Sequence, residues 1–248
     1  MFQTMIKKIV LVLSLLLMPW IAIAQSAAKR KQLALADSLG QTHHFEEAHA
    51  LTNKLLETVN DSTNESLLFL LEVQQVKAQV YEKQDKLKEA LAICLNSLEK
   101  GEKLGNVKVL CSIQLTLALI YEKHEDYDRC AAALTAVQQL IFKHNLVLDY
   151  AHFYIRKSSY YRHVAQQDSS IFCAKKGLEF ANKYNQDWHR NDAYLLLGHL
   201  LAEDQPLISC EYYKLAAKLY LLRTKYDHAF SMYSGVASIL SDQDSMDL

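Results

Sequence analysis

The sequence has few of the residues that interrupt helices: among its 248 residues there are only six glycines and two prolines. Because glycine and proline are the least favourable residues in a helix interior, their scarcity favours long, uninterrupted helices. The sequence also lacks short runs of alternating apolar and polar residues bounded by turn residues, which are typical of strands. We therefore predict an all-α fold.

A strong net charge and the spacings of common catalytic motifs are also missing. The formal net charge is −1, so there is no electrostatic argument for a nucleic-acid partner. No glycine-rich phosphate loop, G-x-S-x-G elbow or H-E-x-x-H pair occurs. The densest group of donors, "HHFEEAH" at residues 43–49, places His44 and His49 on different sides of a helix. We predict a non-enzymatic protein without cofactor or metal, in which this segment is a solvated turn.

The first 24 residues have the features of a secretory signal peptide. Lys7 and Lys8 precede an apolar run over residues 9–17, and an A-x-A sequence ends at Ala24. The run is too short for a stable membrane span, and no apolar stretch after Gln25 reaches that length. We predict cleavage between Ala24 and Gln25 and export to the periplasm or cell envelope, with a permanent N-terminal anchor as the alternative.

A period of forty residues runs through the rest of the chain. Tyr81 is followed at intervals of forty by Tyr121, Tyr161 and Leu201, and Leu39 lies forty-two residues before it. Small residues recur three positions before and nine positions after each of these five. The pairs are Ala36 with Ala48, Ala78 with Ala90, Ala118 with Cys130, Ser158 with Ser170, and Gly198 with Cys210.

Paired small residues at this spacing predict helical hairpins. Two helices whose axes lie about 8–10 Å apart need a residue without bulk on each side of the crossing. The tyrosine, one turn further along the first helix, would fill the space beside the contact. Polar segments 84–86, 124–126 and 203–205 are then the turns. A capping box over "STNE", from Ser62 to Glu65, and a C-terminal cap at Gly105 are predicted for the second hairpin.

In these features the chain resembles the tetratricopeptide repeat (TPR) family. "KAQVYEKQDKLKEALAICLNSL" and "LALIYEKHEDYDRCAAAL" carry the resemblance best, and it covers about residues 27–228 as five hairpins. It implies a right-handed α-solenoid with a concave binding surface. The period of forty is longer than the family's period of about thirty-four residues. A HEAT-type array fits that period better but does not explain the paired small residues.

The resemblance also implies which first-helix residues line a groove. They are Leu33, Asp37, Glu72, Gln75, Gln79, Leu115, Leu119, His152, Ile155, Ser159, Arg162, Leu195, His199 and Glu203. These residues are mostly apolar, amide or acidic, which does not suit the carboxylate clamp of chaperone-binding members. A mixed groove suits an amphipathic helix or an extended peptide, so the expected partner is a protein or peptide.

The five cysteines, Cys94, Cys111, Cys130, Cys173 and Cys210, form no C-x-x-C pair. Cys130 and Cys210 fall on the small-residue positions, where a thiol behaves as a compact apolar group. The odd count favours unpaired packing residues. In an exported protein a disulfide remains an alternative, and Cys94 with Cys130 is the pair to test.

The last residues of the chain are predicted to form a single further helix and a tail. We predict that the repeat array spans residues 25–240 and that residues 241–248 form a tail. Residues 229–240 read as one more first helix, with Ser238 forty residues after Gly198. This apolar helix either covers its predecessor or docks to a partner, including a second copy.

The favoured function is an exported interaction scaffold. The alternatives are the sensory half of a membrane-bound regulator or sensor kinase, and a glycan-binding envelope protein that uses tyrosines such as Tyr154 and Tyr160.

Overall fold

The structure, a computed structural model, describes residues 25–59 and 62–246, and all regular secondary structure in that part of the chain is α-helical. The predicted signal peptide and the cleavage site at Ala24 lie outside the described residues. Helix α1 covers residues 25–41. The others are α2 Phe45–Glu57, α3 Asn64–Lys83, α4 Leu87–Leu104, α5 Val107–Lys123, α6 Tyr127–His144, α7 Tyr150–His163, α8 Gln167–Lys183, α9 Asp187–Leu201, α10 Pro206–Leu222 and α11 Tyr226–Met246.

These helices confirm the prediction of five hairpins followed by one further helix. The chain divides into two compact units, Met1–Val109 and Leu110–Leu248. The N-terminal unit contains the hairpins α1/α2 and α3/α4. The C-terminal unit contains nearly all of α5, the rest of hairpin α5/α6, the hairpins α7/α8 and α9/α10, and α11.

The N-terminal unit is held by packing between its hairpins. Leu55 on α2 packs with Phe69 and Val73 on α3 in a cluster closed to solvent. Gly40, at the end of α1, lies so close to α3 that a Cβ built there would be 2.8 Å from a Val80 methyl group. Of the histidine-rich segment, His43 and His44 lie in the turn and are exposed, as predicted, whereas residues 45–49 form the start of α2. His49 Nε2 is instead within 2.9 Å of Gln84 Oε1.

All ten small residues of the predicted crossings are buried. In the hairpin α7/α8 the helices are so close that each serine reaches the opposite backbone. Ser158 Oγ donates to the Ser170 carbonyl at 2.8 Å, and Ser170 Oγ donates to the Ser158 carbonyl at 2.8 Å. In the next hairpin Ser209 Oγ donates to the Gly198 carbonyl at 2.6 Å. A Cβ on Gly198 would lie 2.9 Å from the Tyr213 ring.

Most hairpin turns use a left-handed residue that is not glycine. Asp85, Glu125 and Ala165 have φ of 59°, 58° and 55°, and the next residue donates its backbone N–H to the carbonyl of Tyr81, Tyr121 or Tyr161. This pattern satisfies carbonyls at the end of the first helix. The turn before α10 differs, because Gln205 has φ of −140° and is followed by Pro206 at the first position of the helix.

The structure corrects two boundary predictions. The N-cap of α3 is Thr63, whose Oγ1 accepts from the Ser66 backbone N–H at 3.1 Å, so the predicted capping box was one residue early. Helix α11 continues to Met246, because residues 241–246 contain neither glycine nor proline, so no tail begins at 241. Ser238, forty residues after the buried Gly198, is exposed.

Helix α11 packs on α10 through a different set of residues. Val236 is buried with Cys210 and Tyr213 on α10, and Met232 and Ile239 pack against this cluster. Ala229 is buried as well. These positions recur every three or four residues, so they share one side of α11, and Ser238 lies off that side. Phe230 and Tyr233 remain exposed.

The left-handed turns give a prediction for Ala165, which is exposed and has φ of 55°. We expect Ala165→Gly to raise the free energy of unfolding by about 0.5–1 kcal/mol. Glycine avoids the cost of about 1–2 kcal/mol that a residue with a Cβ pays in the left-handed conformation. This gain exceeds the loss of stability that comes from the greater conformational entropy of glycine in the unfolded chain. The matched control is Ala132→Gly, at an exposed position inside α6, which should lower stability by about 1 kcal/mol. Urea unfolding measures both, and a loss of stability in both variants would contradict the account of the turn.

Candidate functional site

Helices α5 and α7, the first helices of adjacent hairpins, meet at a buried carboxylate. Glu122 on α5 accepts a hydrogen bond from Ser159 Oγ on α7 at 2.5 Å. His163 Nε2, one turn further along α7, lies 3.4 Å from the same oxygen, and the His163 ring stacks on Tyr127 with centroids 5.8 Å apart. Because a buried carboxylate needs such partners, this contact fixes α7 against α5.

Helices α7 and α9 meet through two histidines. The rings of His152 on α7 and His189 on α9 stack with centroids 4.9 Å apart and an interplanar angle of 21°. Burial lowers the pKa of His152 well below its usual value, and Arg156 and His189 lower it further. Burial also lowers the pKa of His189, an effect that nearby Asp192 opposes and Arg156 reinforces. Both rings are therefore favoured in their neutral form.

The far end of α9 carries a third histidine near an arginine. The Tyr213 hydroxyl of α10 lies 2.7 Å from His199 Nδ1. Burial lowers the pKa of His199, and the positive charge of Arg162 adds to this effect. Burial raises the pKa of Tyr213, so the hydrogen bond joins a neutral hydroxyl and a neutral ring, and the His199 tautomer sets which of the two is the donor.

We call the surface around these contacts the first-helix face. It consists of the polar side chains that α5, α7 and α9 bring together in the C-terminal unit: Glu122, His152, Arg156, Ser159, Arg162, His163, His189, Asp192 and His199. Arg162 and His199 are exposed on neighbouring helices. Arg156 Nε is enclosed and has no hydrogen-bond acceptor among the described residues. The face can therefore donate hydrogen bonds to a ligand that crosses two repeats.

No family model and no curated protein sequence matches the chain. Solved structures do match. A signal transduction ATPase with a tetratricopeptide repeat sensor from Pyrococcus horikoshii matches with a TM-score of 0.62 and 17% identity, over 84% of this chain and 32% of that one. Aspartyl phosphate phosphatase F from Bacillus subtilis matches with a TM-score of 0.58 and 11% identity, over 86% of this chain and 60% of that one. A putative kinesin light chain with nearly identical TPR-like repeats from Podosopora anserina matches with a TM-score of 0.50 and 15% identity, over 86% of this chain and 95% of that one.

The protein has the tetratricopeptide-repeat fold. At these identities the likeness concerns the fold alone, and the chain spans less than two thirds of the first two structures. The α-solenoid class and the TPR resemblance are thereby confirmed, and the longer period reflects longer hairpins within that fold.

The TPR hairpins bury some of the predicted groove residues. Leu115 and Ile155 are only 1% and 0% exposed, so their assignment to an accessible groove was wrong. Ile155 instead packs against α8, where a Cβ on Gly177 would lie 2.9 Å from it. Ser159 is buried too, and its hydroxyl is used by Glu122.

The other predicted groove residues retain some exposure. Arg162, His199 and Glu203 are exposed in the C-terminal unit, and Leu119, His152 and Leu195 are half-buried there. Leu195 packs against the cluster of Cys210, Tyr213 and Val236. In the N-terminal unit Leu33, Asp37, Glu72, Gln75 and Gln79 are half-buried. Glu72 pairs with Arg30 at 2.9 Å. A ligand-binding role for these residues stays a prediction.

Sequence reasoning missed five members of the first-helix face: Glu122, Arg156, His163, His189 and Asp192. Two of them follow a simple helical spacing. Residues four apart share a helix face, and Arg156 and His163 lie four positions after His152 and Ser159. The family resemblance instead pointed to Ile155 and Arg162. No signal in the sequence pairs Glu122 or His189 with its neighbour on another helix.

The cysteines, the candidate metal ligands and the most apolar helices can each be located in the described part of the chain. All five cysteines are buried free thiols, so a Cys94–Cys130 disulfide is not formed. Burial raises the pKa of Cys94 to about 12. Residues 25–59 and 62–246 contain no group of three or more His, Cys, Asp or Glu side chains that could hold a metal ion. In the same residues no helix is both long and apolar enough to span a bilayer.

The buried histidines predict a loss of stability in weak acid. Their pKa values are lowered on folding, so the unfolded chain takes up protons first as the pH falls below about 6.5. Stability should thus be level above about pH 6.5 and decline as the pH falls below that value. We expect His152→Gln to reduce this slope and His44→Gln, at an exposed histidine, to leave it unchanged. Urea unfolding across this range tests the assignment, and equal slopes in wild type and His152→Gln would contradict it.

Proposed function

We propose that the protein is an exported, non-catalytic scaffold that binds an extended segment of a partner protein on its first-helix face. The observation that carries the proposal is the position of Arg162 and His199. They are exposed on α7 and α9, and Arg162 is near enough to lower the pKa of His199. A ligand that contacts both side chains spans two adjacent repeats, as an extended polypeptide can.

The charges of this face favour a segment with acidic residues. Arg156 and Arg162 contribute fixed positive charge. Of the two carboxylates of the face, Glu122 is already engaged by Ser159 and His163, and Asp192 lies near His189. The exposed Arg162 offers donors that a carboxylate or backbone carbonyl of the segment would satisfy. Arginine suits this role because its guanidinium binds a carboxylate through two parallel hydrogen bonds.

The rigidity of the face supports binding by a preformed surface. Arg162 is adjacent to His163, which lies against Glu122 and stacks on Tyr127. His199 is held by the Tyr213 hydroxyl. Because these residues are on packed helices, little side-chain entropy would be lost on binding.

Export is supported by the sequence features of residues 1–24. The matched structures support a helical-repeat scaffold through their fold, and one of them is described as carrying a TPR sensor.

Site-specific photo-crosslinking in cells tests both parts of the proposal. A photoreactive phenylalanine replaces Glu203, exposed four residues after His199, in one variant and Lys175, exposed on the second helix α8, in the control. We expect an adduct from position 203 but not 175, in the envelope fraction, with a mature N-terminus at Gln25. The crosslinked peptide should contain acidic residues, and adding Arg162→Ala should reduce the adduct at least about fivefold without altering the thermal midpoint, because Arg162 is exposed.

Three results would contradict the proposal. Equal adducts from both positions would show that contact with the first-helix face is not specific. An adduct that is unchanged by Arg162→Ala would show that the ligand does not contact α7 as well as α9. A protein that keeps Met1 and stays in the cytoplasm would refute export, independently of the crosslinking result.

A further inference from the structure

A pocket of about 390 Å³ opens between the two helices of the hairpin α7/α8. Tyr154, Lys157 and Tyr161 of α7 line one side, and Asp168, Ser169 and Phe172 of α8 line the other. None of these six residues belongs to the first-helix face. The volume falls within the range of about 300–1,000 Å³ that is usual for small-molecule sites. We call this space between α7 and α8 the aromatic pocket.

Three aromatic rings contribute to its walls. Tyr154 and Tyr161 are two turns apart on α7 and face the pocket together. Tyr154 is kept in place by Phe180, whose ring is nearly parallel to it at 4° with centroids 5.7 Å apart. Phe172 is 59% exposed, an unusual degree for a phenylalanine beside two other aromatic residues. The pocket therefore has fixed aromatic surface that is open to solvent.

Polar groups are interleaved with these rings. Lys157 Nζ lies 5.9 Å from the centroid of the Tyr161 ring and donates a hydrogen bond to Gln138 Oε1 of α6 at 3.0 Å. That bond holds the ammonium group beside the pocket, with further N–H donors left over. Asp168 supplies a carboxylate acceptor, and Ser169 supplies a hydroxyl that can donate or accept.

We propose that the aromatic pocket binds a neutral saccharide. A pyranose ring has an apolar face of C–H bonds, which suits the electron-rich face of an aromatic ring, and an edge of hydroxyl groups that both donate and accept. The lining offers both kinds of surface. One cation and one anion, Lys157 and Asp168, leave no net charge to select an ionic ligand. An aromatic or proline side chain of a peptide would use the rings but not this set of donors and acceptors.

Saturation-transfer difference NMR tests the proposal directly, because it detects sugar protons next to saturated aromatic protons. The probes are a cello-, a malto- and a chito-oligosaccharide, titrated into the full mature chain up to millimolar concentration. We expect at least one of them to show transfer strongest at the C–H protons of one ring face. Phe172→Ala should reduce the signal at least about fivefold, and Asp168→Asn should weaken binding without altering the thermal midpoint.

The control is Phe230→Ala, which removes an exposed phenylalanine, 73%, from α11 outside the pocket. It should leave the transfer unchanged. No transfer with any of the three probes, or equal transfer in wild type and Phe172→Ala, would overturn the proposal. A proline-rich peptide whose binding is lost in Phe172→Ala, in the absence of saccharide binding, would assign the pocket to peptide recognition and also overturn it. These results are independent of the crosslinking at position 203.

Discussion

The close crossing of two helices within each hairpin is the constraint on which the rest of this structure depends. In the hairpin α7/α8 the crossing is so tight that Ser158 and Ser170 exchange hydroxyl-to-carbonyl hydrogen bonds of 2.8 Å. At Gly198 even a Cβ atom would be 2.9 Å from the Tyr213 ring. A larger side chain at such a point would separate the helix axes or force strained rotamers. Packing between hairpins then places the first helices of adjacent repeats side by side.

This arrangement explains why polar groups can be held on the first-helix face. Glu122, Ser159 and His163 come from two helices, and their contact requires that α5 and α7 approach closely. The stacked rings of His152 and His189 require the same of α7 and α9. The cost of burying these groups is offset by hydrogen bonds and ring contacts. Arg162 and His199 remain exposed, on helices whose positions are already fixed by these contacts.

The fold could be predicted from the sequence because its main determinant is periodic. Ala78, Ala118 and Ser158 recur every forty residues, and a small residue at each crossing is a requirement of the hairpin itself. The site could be predicted only in part. One helical turn contains about 3.6 residues, so positions three or four ahead of His152 are equally plausible neighbours on its face. The structure shows that Ile155 turns into the core and that Arg156 joins the polar cluster. Contacts such as Glu122 with Ser159 depend on how two separate helices meet, and no local pattern encodes that.

The most direct test of the account is the free energy of unfolding of Ala118→Leu, compared with that of Ala132→Leu. Ala118 is buried at the predicted crossing of α5 and α6, and Ala132 is exposed on α6. If the small residue is required there, Ala118→Leu should lower the free energy of unfolding by about 1–3 kcal/mol, because the added methyl groups overpack the contact. Ala132→Leu should change it by less than about 0.5 kcal/mol. Equal stabilities for wild type and Ala118→Leu would contradict the central role of the helix crossing.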